Sequence, residues 1–175
     1  MIPGDAQGPV LVIVGPPGAG KTTVAALLAD RLGVDVRDTD ADVEAATGLT
    51  VADIFVEKGE PTFRALEEEA VAKALVEHEG VLALGGGAVL SERTRAALQP
   101  HRVLYLEVGL ANAVRRVGLS ASRPLLLGNV RSTLKRLLDE RAPLYREVAD
   151  ITVGTDDRSA ADVAKLVLDE LGDVP

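Results

Sequence analysis

Short apolar runs alternate along the chain with longer segments in which apolar residues recur every three or four positions. Residues 10–14 (VLVIV) are wholly apolar, rich in β-branched side chains and end at Gly15, as expected for a strand covered on both faces. From Lys21 to Leu32, Val24, Leu27, Leu28 and Leu32 recur at helical spacing until Gly33 stops the segment. A second strand is predicted over 34–37, leading into Asp38-Thr39-Asp40. Helical patterns fill 41–47 and 50–58, and a long one starts at Pro61, a residue suited to a first helical turn, and continues to Glu79. Residues 81–84, 103–107 and 151–153 read as further strands, and 159–171 as a closing helix. Residues 1–8 read as a loose tail, since Pro3, Gly4 and Gly8 offer no periodicity.

Strands separated by helices imply right-handed crossovers and a parallel sheet between helical layers. The expected fold is therefore α/β, a three-layer α/β/α arrangement around a central five-stranded parallel sheet, with residues 9–175 forming a single domain. A ligand of such a sheet lies beyond the carboxyl ends of the strands. The glycine-rich and acidic clusters at 15–20, 38–40 and 85–87 all fall at predicted strand ends.

Composition narrows the functional classes. The 175 residues contain no Cys, which excludes disulfides and thiolate metal sites. His78 and His101 are isolated and read as ordinary surface or helix-end residues. Four aromatics and a net charge of −8 argue against nucleic-acid binding. No apolar run approaches the roughly 20 residues that span a bilayer, and MIPGDAQGP has no signal-like character, so a cytoplasmic protein without membrane contact is expected. The charge is uneven, however. Residues 93–146 hold eleven basic and three acidic side chains, a local charge of +8, which leaves −16 for the rest of the chain. An anion site built partly by the later half of the chain would explain that asymmetry, and so would solvated helix faces.

Gly15-Pro16-Pro17-Gly18-Ala19-Gly20-Lys21-Thr22 matches the phosphate-binding loop pattern G-x-x-x-x-G-K-[ST], placed after a strand and at the opening of a helix. Its backbone N–H groups and the helix N-terminus suit phosphate oxygens, Lys21 suits the β- and γ-phosphates, and Thr22 suits Mg²⁺. No N-K-x-D guanine motif occurs, which turns the reading toward a small-molecule kinase. Such an enzyme needs an acceptor pocket and arginines that neutralise the transferring group. Asp38 and Asp40, alternating at the end of the second strand, could face a metal and an acceptor hydroxyl, or could be a helix-capping pair. Arg64 and Glu67 share a helix face and could be a surface ion pair. Gly85-Gly86-Gly87 is better explained by a ligand close to the main chain than by packing. Arg123-Pro124-Leu125-Leu126 sits in an aperiodic stretch suited to a mobile lid over about 118–129. Pro143 interrupts a helical pattern, so a kink is expected there.

The set G-x-P-G-x-G-K-T, D-x-D, F-R-x-x-E, G-G-G, R-P-L-L and R-A-P-L-Y, in this order, resembles shikimate kinase from Val10 to about Leu171. That resemblance implies a P-loop kinase fold with a mobile lid, and transfer of the γ-phosphoryl of ATP to the 3-hydroxyl of shikimate. By the same resemblance Gly15, Pro17, Gly18, Ala19, Gly20, Lys21, Thr22 and Thr23 hold the phosphates, with Thr22 and Asp38 at Mg²⁺. Asp40 binds the acceptor hydroxyls and is the candidate base, and Lys21 and Arg123 complete the catalytic set. Arg64 and Arg141 grip the shikimate carboxylate beside Gly85, Gly86 and Gly87, with Phe55 and Phe63 as apolar pocket positions over the acceptor region, about 40–67. Arg116 packs on adenine and Arg158 lies in the adenine loop. Thr22 stands where the family more often has Ser, which keeps the hydroxyl. A monomer is expected. A kinase for gluconate or a nucleoside monophosphate, or a nucleotide-binding module without catalysis, would share the P-loop but would not need Arg64, Arg141 and the three glycines together.

Overall fold

β1 (Leu11–Val14), β2 (Val36–Asp38), β3 (Val81–Ala83), β4 (Val103–Glu107) and β5 (Ile151–Gly154) form one parallel sheet in the order β2-β3-β1-β4-β5. They are seen in a computed structural model that describes residues 8–117 and 129–172. The helices between them are α1 (Lys21–Leu32), α2 (Thr39–Thr47), α3 (Val51–Lys58), α4 (Glu60–Glu77), α5 (Glu92–Leu98), α6 (Leu110–Val117), α7 (Val130–Val148) and α8 (Ala160–Gly172), with a 3-10 turn at Ala88–Leu90. β1 is central, and Ile13 pairs with Ala83 on one side and Leu104 on the other. Asp38 is level with Ala83, so the loops after β1, β2 and β3 open at the same edge.

The period of two in β1 sorts its side chains between the layers. Leu11 and Ile13 pack with Val24 and Leu28 of α1, Leu134 of α7 and Val163 and Val167 of α8. Val12 and Val14 face the other way, toward Val71 and Leu75 of α4, Leu98 of α5 and Tyr145 of α7. A third, smaller cluster of Val43, Ile54 and Phe63 holds α2, α3 and α4 together beside the sheet.

Several expectations shift. Gly8, read as tail, is buried, and its main chain lies against the His101 ring and the Leu75 carbonyl. The second strand runs to Asp38, and α2 begins at Thr39, so Asp40 stands in a first helical turn and not on a strand. α5 and α6, too short for their periodicity to register, were not expected. Ser91 caps α5 by accepting the Thr94 N–H at 3.1 Å. α7 continues through Pro143, where the missing N–H leaves one helical bond unmade. The lid expected over 118–129 lies outside the described residues apart from Asn129, whose side chain caps α7 at the Ser132 N–H, 3.0 Å away.

Leu104 is fully buried in the layer under α1 and α8. Leu104→Ala should destabilise the fold by about 2–5 kcal/mol, measured by denaturant titration; a loss below about 1 kcal/mol would mean that this layer is not closely packed.

Candidate active site

The loop after β1 is shaped by its glycines. A Cβ on Gly15 would sit 2.7 Å from the Leu106 carbonyl, and Gly20 enters α1 at φ 90°, a left-handed conformation that favours glycine. α1 has no side-chain cap, so its first N–H groups are presented to an anion. The Lys21 ammonium donates to the carbonyls of Gly15, at 2.7 Å, and Pro16, at 3.0 Å, which lays it along the loop. Thr22 and Thr23 are exposed beside it.

A cleft of about 240 Å³ joins this loop to the ends of β2 and β3, with Lys21 and Thr22 on one wall and Asp40, Gly85 and Gly86 on the other. Asp38 caps α2 by accepting the Asp40 N–H at 2.8 Å, which fixes where that helix starts and hence where Asp40 stands. Between the two aspartates, buried Thr39 accepts the Gly85 N–H at 3.2 Å, tying β2 to the glycine turn. A Cβ at Gly85 would lie 2.6 Å from Asp40 Oδ1 and 2.7 Å from Glu67 Oε2, so a side chain there would displace both carboxylates. Gly87 is equally constrained, since its missing side chain is the space that the Arg64 guanidinium occupies.

The Arg64–Glu67 pair is not a surface pair. Glu67 is 2% exposed, its Oε1 accepts from Arg64 Nη1 at 2.8 Å, and its buried Oε2 has no hydrogen-bond partner among the described residues. Burial pushes the Glu67 carboxyl above the ordinary range, and neighbouring Arg64 offsets this only in part. Arg64 also pairs with Glu60 at 3.3 Å and lies 5.9 and 5.3 Å from the ring centres of Phe55 and Phe63, which are themselves 4.8 Å apart. Arg141, 4% exposed, meets the Tyr145 hydroxyl, which donates to the Gly86 carbonyl. The Tyr145 phenol is pushed up to about 12 by burial, against the pull of Arg141, so it remains a donor. Its ring stacks on Tyr105 at 5.0 Å.

On the other side of the loop, Arg116 donates to the Gly18 carbonyl at 2.8 Å and to Thr155 Oγ1 at 3.4 Å. A second cavity, about 230 Å³, opens between Gly20 and Thr23 on one wall and Thr155, Arg158 and Ala160 on the other, with Arg116 at its border. Arg158 donates to the Gly154 carbonyl at 2.8 Å.

The fold thus brings the phosphate loop, Asp40, the three glycines, Arg64, Arg141, Arg116 and Arg158 to one edge of the sheet. Arg123 lies outside the described residues. Thr39, Tyr145 and Thr155 were not singled out in the sequence. Tyr145 at least closes the R-A-P-L-Y run, whereas Thr39 and Thr155 act through contacts that no local pattern announces.

A family model described as shikimate kinase matches residues 17–172. A shikimate kinase from Thermobifida fusca (strain YX) is 58% identical over 163 residues, which cover 93% of this chain and 95% of the relative. One from Saccharopolyspora erythraea is 63% identical over 151 residues, 86% of each. Among solved structures, shikimate kinase from Acinetobacter baumannii in complex with shikimate superposes with a TM-score of 0.91 at 37% identity, covering 97% of this chain and 95% of that one. A gluconokinase from Sinorhizobium meliloti 1021 shares the fold at a TM-score of 0.56 and 17% identity, covering 97% of this chain and 93% of that one.

Because Glu67 holds its proton more tightly folded than unfolded, its contribution to stability is full below the unfolded pKa and is lost as pH rises through the raised folded value. Glu67→Gln lacks that loss. The stability of the wild type relative to this variant should fall as pH rises across the carboxylate range and beyond, measured by denaturant titration at successive pH values; a flat difference would rule out the raised pKa.

Proposed function

The chain belongs to the shikimate kinase family, and from that premise we propose that it transfers the γ-phosphoryl of ATP to the 3-hydroxyl of shikimate in the cleft between the phosphate loop and Asp40, giving shikimate 3-phosphate and ADP. The observation that carries this reading is the single cleft shared by Lys21 and Thr22 with Asp40, Gly85 and Gly86, which sets a phosphoryl donor against a carboxylate suited to an attacking hydroxyl.

In this reading the N–H groups of Gly15, Pro17–Thr23 apart from the proline, and the α1 N-terminus take the phosphates. Lys21 exchanges its carbonyl partners for the β- and γ-oxygens. Arg116 and Arg158 border the cavity for adenine. Arg64 and Arg141 hold the shikimate carboxylate against the glycine turn, where a charge-assisted fork fixes the ring. Phe55 and Phe63 form the apolar wall. Asp40 orients the 3-hydroxyl and accepts its proton late, because a loose transfer needs little deprotonation beforehand. Arg123, on the lid expected over 118–129, approaches the transferring group.

Mg²⁺ fits this site through Thr22 and, by way of water, Asp38. The Thr22 hydroxyl lines the cleft and would ligate the ion directly, while Asp38, whose Oδ1 caps α2, would reach it through water. Bound there, it supplies neutralisation of phosphate charge. Among the described residues no helix is long and apolar enough to cross a membrane, and a cytoplasmic monomer belongs to the same reading.

The decisive assay is coupled ADP release with Mg-ATP and shikimate, with gluconate and nucleoside monophosphates as competing acceptors. Turnover on shikimate alone is expected, and turnover only on another acceptor would overturn the assignment. Asp40→Asn should nearly abolish turnover while ATP still binds; ordinary turnover would remove Asp40 from its role. Arg64→Ala should cost about 2–4 kcal/mol in kcat/KM for shikimate, and an effect on ATP affinity alone would contradict carboxylate binding.

A further inference from the structure

The loop between β5 and α8 is fastened to both ends of α6. At the N-terminal end the Asp156 carboxylate accepts the Gly109 N–H, at 2.9 and 3.2 Å from its two oxygens, and the Asn112 side-chain amide at 2.6 Å. The Asn112 oxygen in turn accepts from Arg115 at 2.7 Å, which fixes the amide with its nitrogen toward Asp156. Gly109 occupies the N-cap position of α6, since its carbonyl accepts the Ala113 N–H at 3.0 Å, but it has no side chain with which to cap. The cap comes instead from a carboxylate 47 residues away, where it also meets the positive end of the helix. A Cβ on Gly109 would lie 2.7 Å from Asp156 Oδ2, so the glycine leaves room for that carboxylate.

At the other end Arg116 holds the same loop through Thr155, and holds the phosphate loop through the Gly18 carbonyl. Directly after the two fastened residues, Asp157 adopts φ 59°, a left-handed conformation that costs a non-glycine residue energy and persists where the surroundings hold it. Arg158 follows, on the wall of the cavity that Arg116 borders. Asp156 itself is exposed and lies outside that lining.

We propose that Asp156 is a positioning residue for ATP: by clamping the β5–α8 loop to the start of α6 it holds Arg116 and Arg158 at their binding separation before the nucleotide arrives. This rests on the reading above that their cavity takes the adenine of ATP. The physical effect is preorganisation. A fastened loop loses its freedom on folding, whereas a free one loses it on binding and weakens affinity. The chemical step, at Lys21 and Asp40, lies in the neighbouring cleft, which Arg116 also lines but Asp156 and Arg158 do not, so the main effect falls on ATP binding.

Asp156→Ala should raise the Kd and KM of ATP about tenfold, with kcat and the shikimate KM within about twofold of wild type. Asp156→Asn, which keeps one acceptor oxygen, should fall between the two, and it carries the measurement if the alanine variant does not fold. Asp156→Ala combined with Gly109→Ser gives α6 a local cap but leaves the Asp156 end of the loop unfastened, so it should regain thermal stability while ATP binding stays weak. Recovery of ATP affinity in that double variant would reduce Asp156 to a helix cap and overturn the clamp, and so would an unchanged ATP KM in the alanine and asparagine variants. If wild type fails to phosphorylate shikimate, the parent reading fails; if wild type turns over and the variants bind ATP normally, only the clamp fails.

Discussion

Two guanidinium groups, one buried and one largely so, lie beyond the carboxyl ends of β2 and β3 with the backbone of a glycine turn, and the rest of that cluster is arranged around them. Removing an ion from water costs several kcal/mol even after relaxation, so each group must find partners or remain near solvent. Arg64 has Glu67, Glu60 and two aromatic rings, and Arg141 has the Tyr145 hydroxyl. A side chain at Gly87 would displace the Arg64 guanidinium, and one at Gly85 would displace the Asp40 and Glu67 carboxylates. Burial raises the Glu67 pKa, and the neighbouring Arg64 opposes that shift.

The donor side works by a different economy of contacts. The phosphate loop is held by its own turn geometry, and Lys21 rests on the loop carbonyls until a stronger acceptor is present. Arg116 bridges from α6 to this loop and to Thr155, so the cavity that it borders is bounded by three segments distant in sequence. The overall charge of −8 says little about either site. The basic stretch at 93–146 contributes Arg116 and Arg141 to the two sites, while other basic residues there make surface pairs, as Lys135 does with Asp139 and Arg146 with Glu107.

Features that are contiguous in the chain could be read from it directly. The phosphate loop is one unbroken run in which every residue contributes to a single turn, and the strand before it and helix after it have clear periods. The Asp38-Thr39-Asp40 run was legible as important but not in its geometry: strand alternation suggested two carboxylates on opposite faces, whereas capping by Asp38 starts a helix one residue later and carries Asp40 into it. Arg64 and Glu67 were legible as a pair, but a surface pair and a buried one have the same spacing. Gly8 looked like tail because nothing local distinguishes a glycine packed on His101 from one in solvent.

By itself the sequence determined the order of the strands and of the helices long enough to show a period, the phosphate loop and the residue types that suit two anionic ligands, because hydrophobic period, turn chemistry and backbone freedom are local properties. Only the tertiary structure decided which charges are desolvated and which contacts cross the chain. Tyr145 reaches Gly86 across 59 positions and Arg116 reaches Gly18 across 98. Desolvation depends on what other segments cover a group, and no stretch of sequence contains its own cover.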